Sequence, residues 1–256
     1  MSYQQRERLM ELYEKGVLTK EEAKACFLTF DERPEQLFVE EKTKLSFSLP
    51  SLKVFSSTKR QQAYQFQGIE SLFIRLTSGK VVFSKSKSDD LQVKIVYPSQ
   101  TREEDLPQFF VENKGLYYSS AVSCQLMVSL PEAWLSILDL DLGKAEARLD
   151  YLPFEDMAVH SQMDEKQQDV RLTLDGSRSQ ALSIQVRMAP IHLNLGKQLG
   201  IKGKMEAKSG QLIINRKKIA NPFICDRAGQ ETAFVRIQTD RSPITLKGGK
   251  EIVKAF

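Results

Sequence analysis

Leu182-Ser183-Ile184-Gln185-Val186-Arg187-Met188-Ala189-Pro190-Ile191-His192-Leu193-Asn194-Leu195 is the stretch whose reading decides the fold class. Every second residue on each side of Ala189-Pro190 is apolar, the period of a strand with one buried face. Pro190 has no N–H to give to a ladder, so it separates two short strands rather than joining one long one. The same beat runs through Leu72/Ile74/Leu76, Leu91/Val93/Ile95, Leu172/Leu174, Ile201/Met205, Leu212/Ile214 and Val235/Ile237, and earlier through Leu45/Phe47/Leu49. Between these runs stand turn formers such as Ser78-Gly79, Asp175-Gly176, Ser209-Gly210, Asn221-Pro222 and Ser242-Pro243. In the second half they recur roughly every 10–12 residues, a spacing that suits a sandwich, a barrel or a stacked solenoid alike. No helix-long amphipathic stretch follows Phe38, so a parallel sheet built with crossover helices is not expected.

Outward from this β region, the amino terminus changes period. Leu9, Leu12 and Tyr13 lie at helical spacing, Gly16 stops the run, and Thr19 with Glu22 forms a capping box for a second helix through Cys26 and Phe27. Residues 1–31 therefore read as a helical hairpin and residues 35–256 as one β domain. The hairpin's apolar set, Leu9, Leu12, Tyr13, Val17, Leu18 and Phe27, is too small to stand alone. It is a candidate protein-contact surface, for a partner protein or for self-association.

The chain's 256 residues are 41% apolar and 27% charged with a formal charge of +4, enough to bury a core and too mildly basic to name a partner. The N-terminal residues are charged where a secretory leader would be apolar, and no run approaches a membrane span, so the sequence alone points to the cytoplasm. Cys26, Cys124 and Cys225 are far apart and odd in number, which suggests neither a disulfide framework nor a zinc knuckle.

Reactive chemistry finds little support. His160 and His192 are the only histidines, and at two to four residues past either one the sole Cys, Asp or Glu is Asp164, four on from His160 in a predicted turn. A Cys225–His192 nucleophile pair oriented by Asp226 or Asp240 has no local signal behind it. Asp139 and Asp141 share a strand face and offer paired carboxylates or a cation site such as calcium; the plainer reading turns Leu138, Leu140 and Leu142 inward and leaves both aspartates in water. Gly196–Lys204 lacks the spacing and following helix of a phosphate loop. No catalytic residue, cofactor or metal is expected.

Charge is concentrated in one place. Arg187, Lys197, Lys202, Lys204, Lys208, Arg216, Lys217 and Lys218 stand against a single acid, Glu206. With Ile201 and Met205 inward, Lys202 and Lys204 point out together, and stacked strands would align more cations into a ridge for an anionic lipid surface or envelope polymer. No Phe, Tyr or Trp interrupts the stretch, so stacking on nucleic acid is poorly supported. A ridge that only keeps a β edge soluble is the competing reading.

Ile69–Phe83 with Asp89–Ile95, Val128–Ile137 with its Leu-Pro, and Lys208–Ile213 with its Ser-Gly together resemble the DUF4097 adhesin-like β-repeat family. Leu9–Ala23 is similar to the short hairpin called SHOCT, and Gly143-Lys144-Ala145 departs from the Ser-Gly-Asp of the repeat. The resemblance implies a right-handed β-helix-like, solenoid-like stack, no enzymatic activity, and a surface sensor or adaptor role in a bacterial cell-envelope stress response. A cytoplasmic regulator whose hairpin binds a transcription factor or nucleic acid is the alternative, and a hydrolase a third.

Overall fold

The computed structural model describes residues 59–161 and 169–248, and they are mainly β. The hairpin residues Leu9, Leu12, Tyr13, Val17, Leu18 and Phe27, along with Cys26, Leu45–Leu49 and Asp164, lie outside the described residues. The strands open with β1 (Lys59–Phe66), β2 (Ser71–Leu76), β3 (Gly79–Lys85) and β4 (Leu91–Pro98). A 3-10 turn at Glu103–Asp105 leads to β5 (Gln108–Glu112), β6 (Gly115–Ser120), β7 (Cys124–Leu130), β8 (Leu135–Asp141), β9 (Glu146–Leu149) and β10 (Phe154–Ser161). Then come β11 (Val170–Leu174), β12 (Gln180–Val186), β13 (Ile191–Leu195), β14 (Leu199–Lys208) and β15 (Leu212–Ile214). The series ends with β16 (Lys217–Ile219), β17 (Phe223–Arg227), β18 (Glu231–Asp240) and β19 (Ile244–Lys247).

They form two mixed sheets. The first runs β1-β4-β7-β3-β9-β11-β13-β19-β15-β16 and the second β17-β14-β18-β12-β10-β8-β2-β6-β5. From β7 to β15 the chain changes sheet at every step. Interior pairs such as β8–β10, β10–β12, β9–β11 and β11–β13 are parallel, while antiparallel pairs β1–β4, β5–β6, β14–β17 and β15–β16 lie at the margins. A parallel pair needs a crossover, commonly a helix; here a strand of the opposite sheet supplies it. No helix is required, and among the described residues no element covers the sheets' outer faces.

That arrangement explains why these parallel strands alternate instead of running continuously apolar. Leu138, Leu140 and Leu142 are buried with Asp139 and Asp141 between them, as the sequence predicts. Inward side chains of both sheets form one apolar cluster. Phe83 of the first sheet and Phe154 of the second, both fully buried, meet at 6.5 Å between ring centroids.

Ser78-Gly79, which alternation alone would allow as a hairpin turn, is instead a corner that carries the chain from β2 in one sheet to β3 in the other. Gly79 has φ +113°, and a Cβ there would run into the backbone of Cys124. Only glycine fits that corner. At the departing Gly143-Lys144-Ala145 corner, Gly143 also has positive φ, and its carbonyl accepts a 2.7 Å hydrogen bond from the buried Ser161 hydroxyl.

Candidate functional site

In-register parallel pairing converts a repeated position in the sequence into a line of side chains across a face, about 4.8 Å apart. On the outer face of the first sheet Arg148, Arg171 and His192 are successive partners on β9, β11 and β13, and the row runs on through Thr245 and Ile213 to Lys218. Lys94 stands in the same row on the other side, beyond Met127 and Val82. Arg171 and Arg148 each make a short ion pair, Nη2 to Asp169 and Nε to Asp150, both 2.7 Å.

Arg171, His192, Asn194, Thr245 and Lys247 enclose a recess of about 290 Å³. Arg171 and Lys247 bring positive charge to it, and Asn194, Thr245 and His192 can each donate as well as accept, a set that suits a phosphate, sulfate or carboxylate. Half-buried His192 has its pKa lowered first by desolvation and further by Arg171 and Lys247; Asp169, 3.6 Å away, opposes the shift. The imidazole is therefore neutral at pH 7.

The eight cations of the Arg187–Lys218 stretch do not share one face. Lys202 and Lys204 point outward together from β14 in the second sheet, as alternation predicts, Lys202 lying 3.5 Å from Asp226 and Lys204 2.9 Å from Glu206. Lys208 ends that strand, Arg187 follows β12, and Lys197 lies between β13 and β14. Arg216, Lys217 and Lys218 are at the far margin of the first sheet, where Lys218 joins the row of Arg148 and Arg171. The row thus draws most of its charge from outside the basic stretch. Its trace in the sequence is a repeated triplet, Ala147-Arg148-Leu149, Val170-Arg171-Leu172, Ile191-His192-Leu193 and Ile244-Thr245-Leu246, visible only when the strands are aligned on one another.

His192 and Cys225 belong to different sheets, so the Cys–His pair considered from the sequence does not form. Cys225 donates to the Gly203 carbonyl at 3.4 Å, and burial pushes its thiol up to about 11, far from a thiolate at neutral pH. Asp226 faces Lys202, and Asp240 ends β18. Cys124 is buried against the Tyr118 hydroxyl. Among the described residues no group of three His, Cys, Asp or Glu could hold a metal ion.

The outer face of the second sheet differs in kind. Phe110, Tyr117 and Phe73 are register partners on β5, β6 and β2, and their rings stack at 4.5 Å with interplanar angles of 2° and 8°. The next partner is Asp139, whose Oδ1 lies 3.4 Å from Nδ1 of His160. Arg75 and Asp141 are partners one position along, 3.9 Å apart. These residues line a recess of about 320 Å³. The sequence shows the aspartates and His160; the aromatic stack needs strand order, because β5 and β6 follow β2 only after two strands of the other sheet.

The fold finds a counterpart among solved structures. A candidate cell adhesion protein from Clostridium sporogenes superposes with a TM-score of 0.58 at 16% identity, over 74% of this chain and 99% of that one. The two share a fold. A candidate adhesin from Bacteroides fragilis covers 75% of this chain and 98% of its own, with 14% identity and a TM-score of 0.34. Models of known families and curated proteins give no match. Among the described residues, no helix is long and apolar enough to cross a membrane.

Proposed function

We propose that this protein is a non-enzymatic, adhesin-like binding module whose first-sheet face engages an anionic surface, as a sensor or adaptor in the bacterial cell-envelope stress response. The observation that carries the binding part is the in-register row Lys94, Arg148, Arg171 and Lys218 with the Arg171–His192–Lys247 recess in its middle. Cations whose backbone is already ordered in one sheet incur no backbone ordering cost when they meet a layer of anionic head groups or an anionic polymer. The stress-response role, the solenoid-like stack and the surface or membrane-peripheral location rest on the resemblance of Ile69–Phe83, Val128–Ile137 and Lys208–Ile213 to the adhesin-like β-repeat family, and the strand-by-strand alternation between sheets supports the stack.

The hairpin, residues 1–31, is the proposed protein-contact or self-association element, with Leu9, Leu12, Tyr13, Val17, Leu18 and Phe27 as its contact set. The test of the anionic face is sedimentation of the full chain with phosphatidylglycerol or phosphatidylcholine vesicles at low and high salt. Binding should require the anionic lipid and fade as salt rises. Equal binding to both lipids, or to neither vesicle nor soluble polyphosphate, would sink the reading.

A further inference from the structure

The second sheet's outer face carries a feature that an anion-binding surface does not need. The recess bounded by Phe73, Asp139 and His160 adjoins one of about 560 Å³ through His160, and that one adjoins a third of about 530 Å³ through Ser183. Together they make a trough that crosses β2, β8, β10, β12 and β18 and reaches β14 at Lys202 and Gly203. Four strand steps span about 19 Å. Small residues, Ala158 and Ser183, occupy the row between its ends, where the register runs Phe73, Asp139, Ala158, Ser183, Arg236.

Each end of the trough has an aromatic wall. Tyr117 is sandwiched between Phe110 and Phe73, so both of its faces are occupied. The stack runs from strand to strand, which turns the second face of Phe73 toward β8 and the trough. At the opposite end Phe234 is 54% exposed and lines the third recess. Its polar lining mixes donors and acceptors and charges of both signs: Arg75, Arg187, Lys202 and Arg236 stand with Asp139, Asp141 and Asp156, beside His160 and Gln185. Among the described residues Asp139 Oδ2 takes no protein hydrogen bond, and the ion-pair partner of Arg75 is Asp141, at 3.9 Å.

Aromatic faces for C–H surfaces, with mixed donors and acceptors for hydroxyls, are the complement of a polyhydroxylated ring chain. We propose that this trough binds an extended neutral saccharide, one ring against Phe73 with its hydroxyls on Asp139, His160 and Arg75, and another against Phe234. An extended peptide is the poorer fit, because capture of a peptide strand uses the free backbone groups of a sheet edge, and the strands under the trough are interior ones. The mixed charge separates this site from the cationic face of the first sheet, and the proposal is independent of the reading of that face.

The test is calorimetric titration of the full chain with chitotetraose, cellotetraose and maltotetraose. At least one should bind saturably and insensitively to salt. Phe234→Ala and Asp139→Asn should each weaken it about tenfold, while Arg148→Gln/Arg171→Gln leaves it unchanged. Circular dichroism melting of each variant separates lost binding from lost fold; Phe234 and Asp139 are both solvent-accessible, and wild-type-like melting is expected. No saturable binding to any of the three at millimolar concentration, or binding that survives both trough variants, overturns the proposal.

Discussion

The two outer faces are built by the same rule and carry opposite chemistry. Each displays the alternate residues that its sheet turns away from the common core, and each is ordered by register into rows. On the first sheet the middle of the row holds two arginines and a histidine, and Arg171 and His192 line a recess there with Lys247. On the second, the matching row starts with three stacked rings, passes a carboxylate and two small residues, and reaches a cation only at Arg236. The fold therefore does not dictate which partner is met; the identity of the outward residue at each rung does.

The comparison breaks most severely where the faces share support. Phe154→Ala opens a cavity beneath both sheets at the Phe83 contact and should cost about 3–5 kcal/mol of stability, read from the urea midpoint. Anionic and saccharide binding should then fail together. If one survives at full strength in the destabilised variant, the faces are less rigidly coupled than the single core implies.

A charge substitution should part them. Arg148→Gln with Arg171→Gln removes two adjacent cations that are exposed and paired only at the surface, so stability should barely move. Affinity for anionic vesicles should drop by about 2 kcal/mol, near 1 kcal/mol per charge, with a shallower salt dependence. An unchanged vesicle isotherm would move the anion-binding role to Lys202 and Lys204 on the other sheet, where the basic stretch of the sequence first places it.

That possibility shows which parts of the molecule the sequence makes legible. Strand existence and which residues face inward follow from period two, and Leu138-Asp139-Leu140-Asp141-Leu142 is read correctly without coordinates. Sheet membership is another matter. Ser78-Gly79 has the composition of a hairpin turn but makes a corner, because Gly79 must pass against Cys124 of β7, more than forty residues on, and local composition holds no record of that approach. A contiguous count of charge likewise finds Arg187–Lys218 and misses Arg148 and Arg171, whose proximity depends on each strand returning to its own sheet after one excursion through the other. The stacked rings of Phe110, Tyr117 and Phe73 are hidden for the same reason.

On the second face, Tyr117→Ala removes the middle ring of the stack. Two ring contacts at 4.5 Å disappear, each worth about 0.5–1.5 kcal/mol. The expected loss is about 1–3 kcal/mol in chemical denaturation, with vesicle binding untouched. Saccharide affinity should fall too, since Phe73 loses the neighbour that holds its free face toward β8. A stability change near zero would mean that the stack is an incidental alignment of exposed rings.

The finest distinction lies in pH. The pKa of His192 is lowered from the ordinary 6.5 by burial and by Arg171 and Lys247, against the pull of Asp169. A group whose folded pKa is depressed binds fewer protons folded than unfolded, so its contribution to stability is complete above pH 6.5 and is lost as pH falls through the folded value. His192→Asn should therefore flatten the decline in melting temperature between pH 7 and 5, a window above the ordinary titration of surface carboxylates. Anion binding runs the other way. A phosphate in the recess favours the imidazolium, so affinity for anionic vesicles should rise as pH falls over the same window, and His192→Asn should remove that rise. His160→Asn, on the opposite face beside Asp139, should leave the vesicle profile as it is in the wild type. Were the two histidine variants to shift vesicle binding alike, the anion would have to contact both sheets, and the division of labour between the faces would fail.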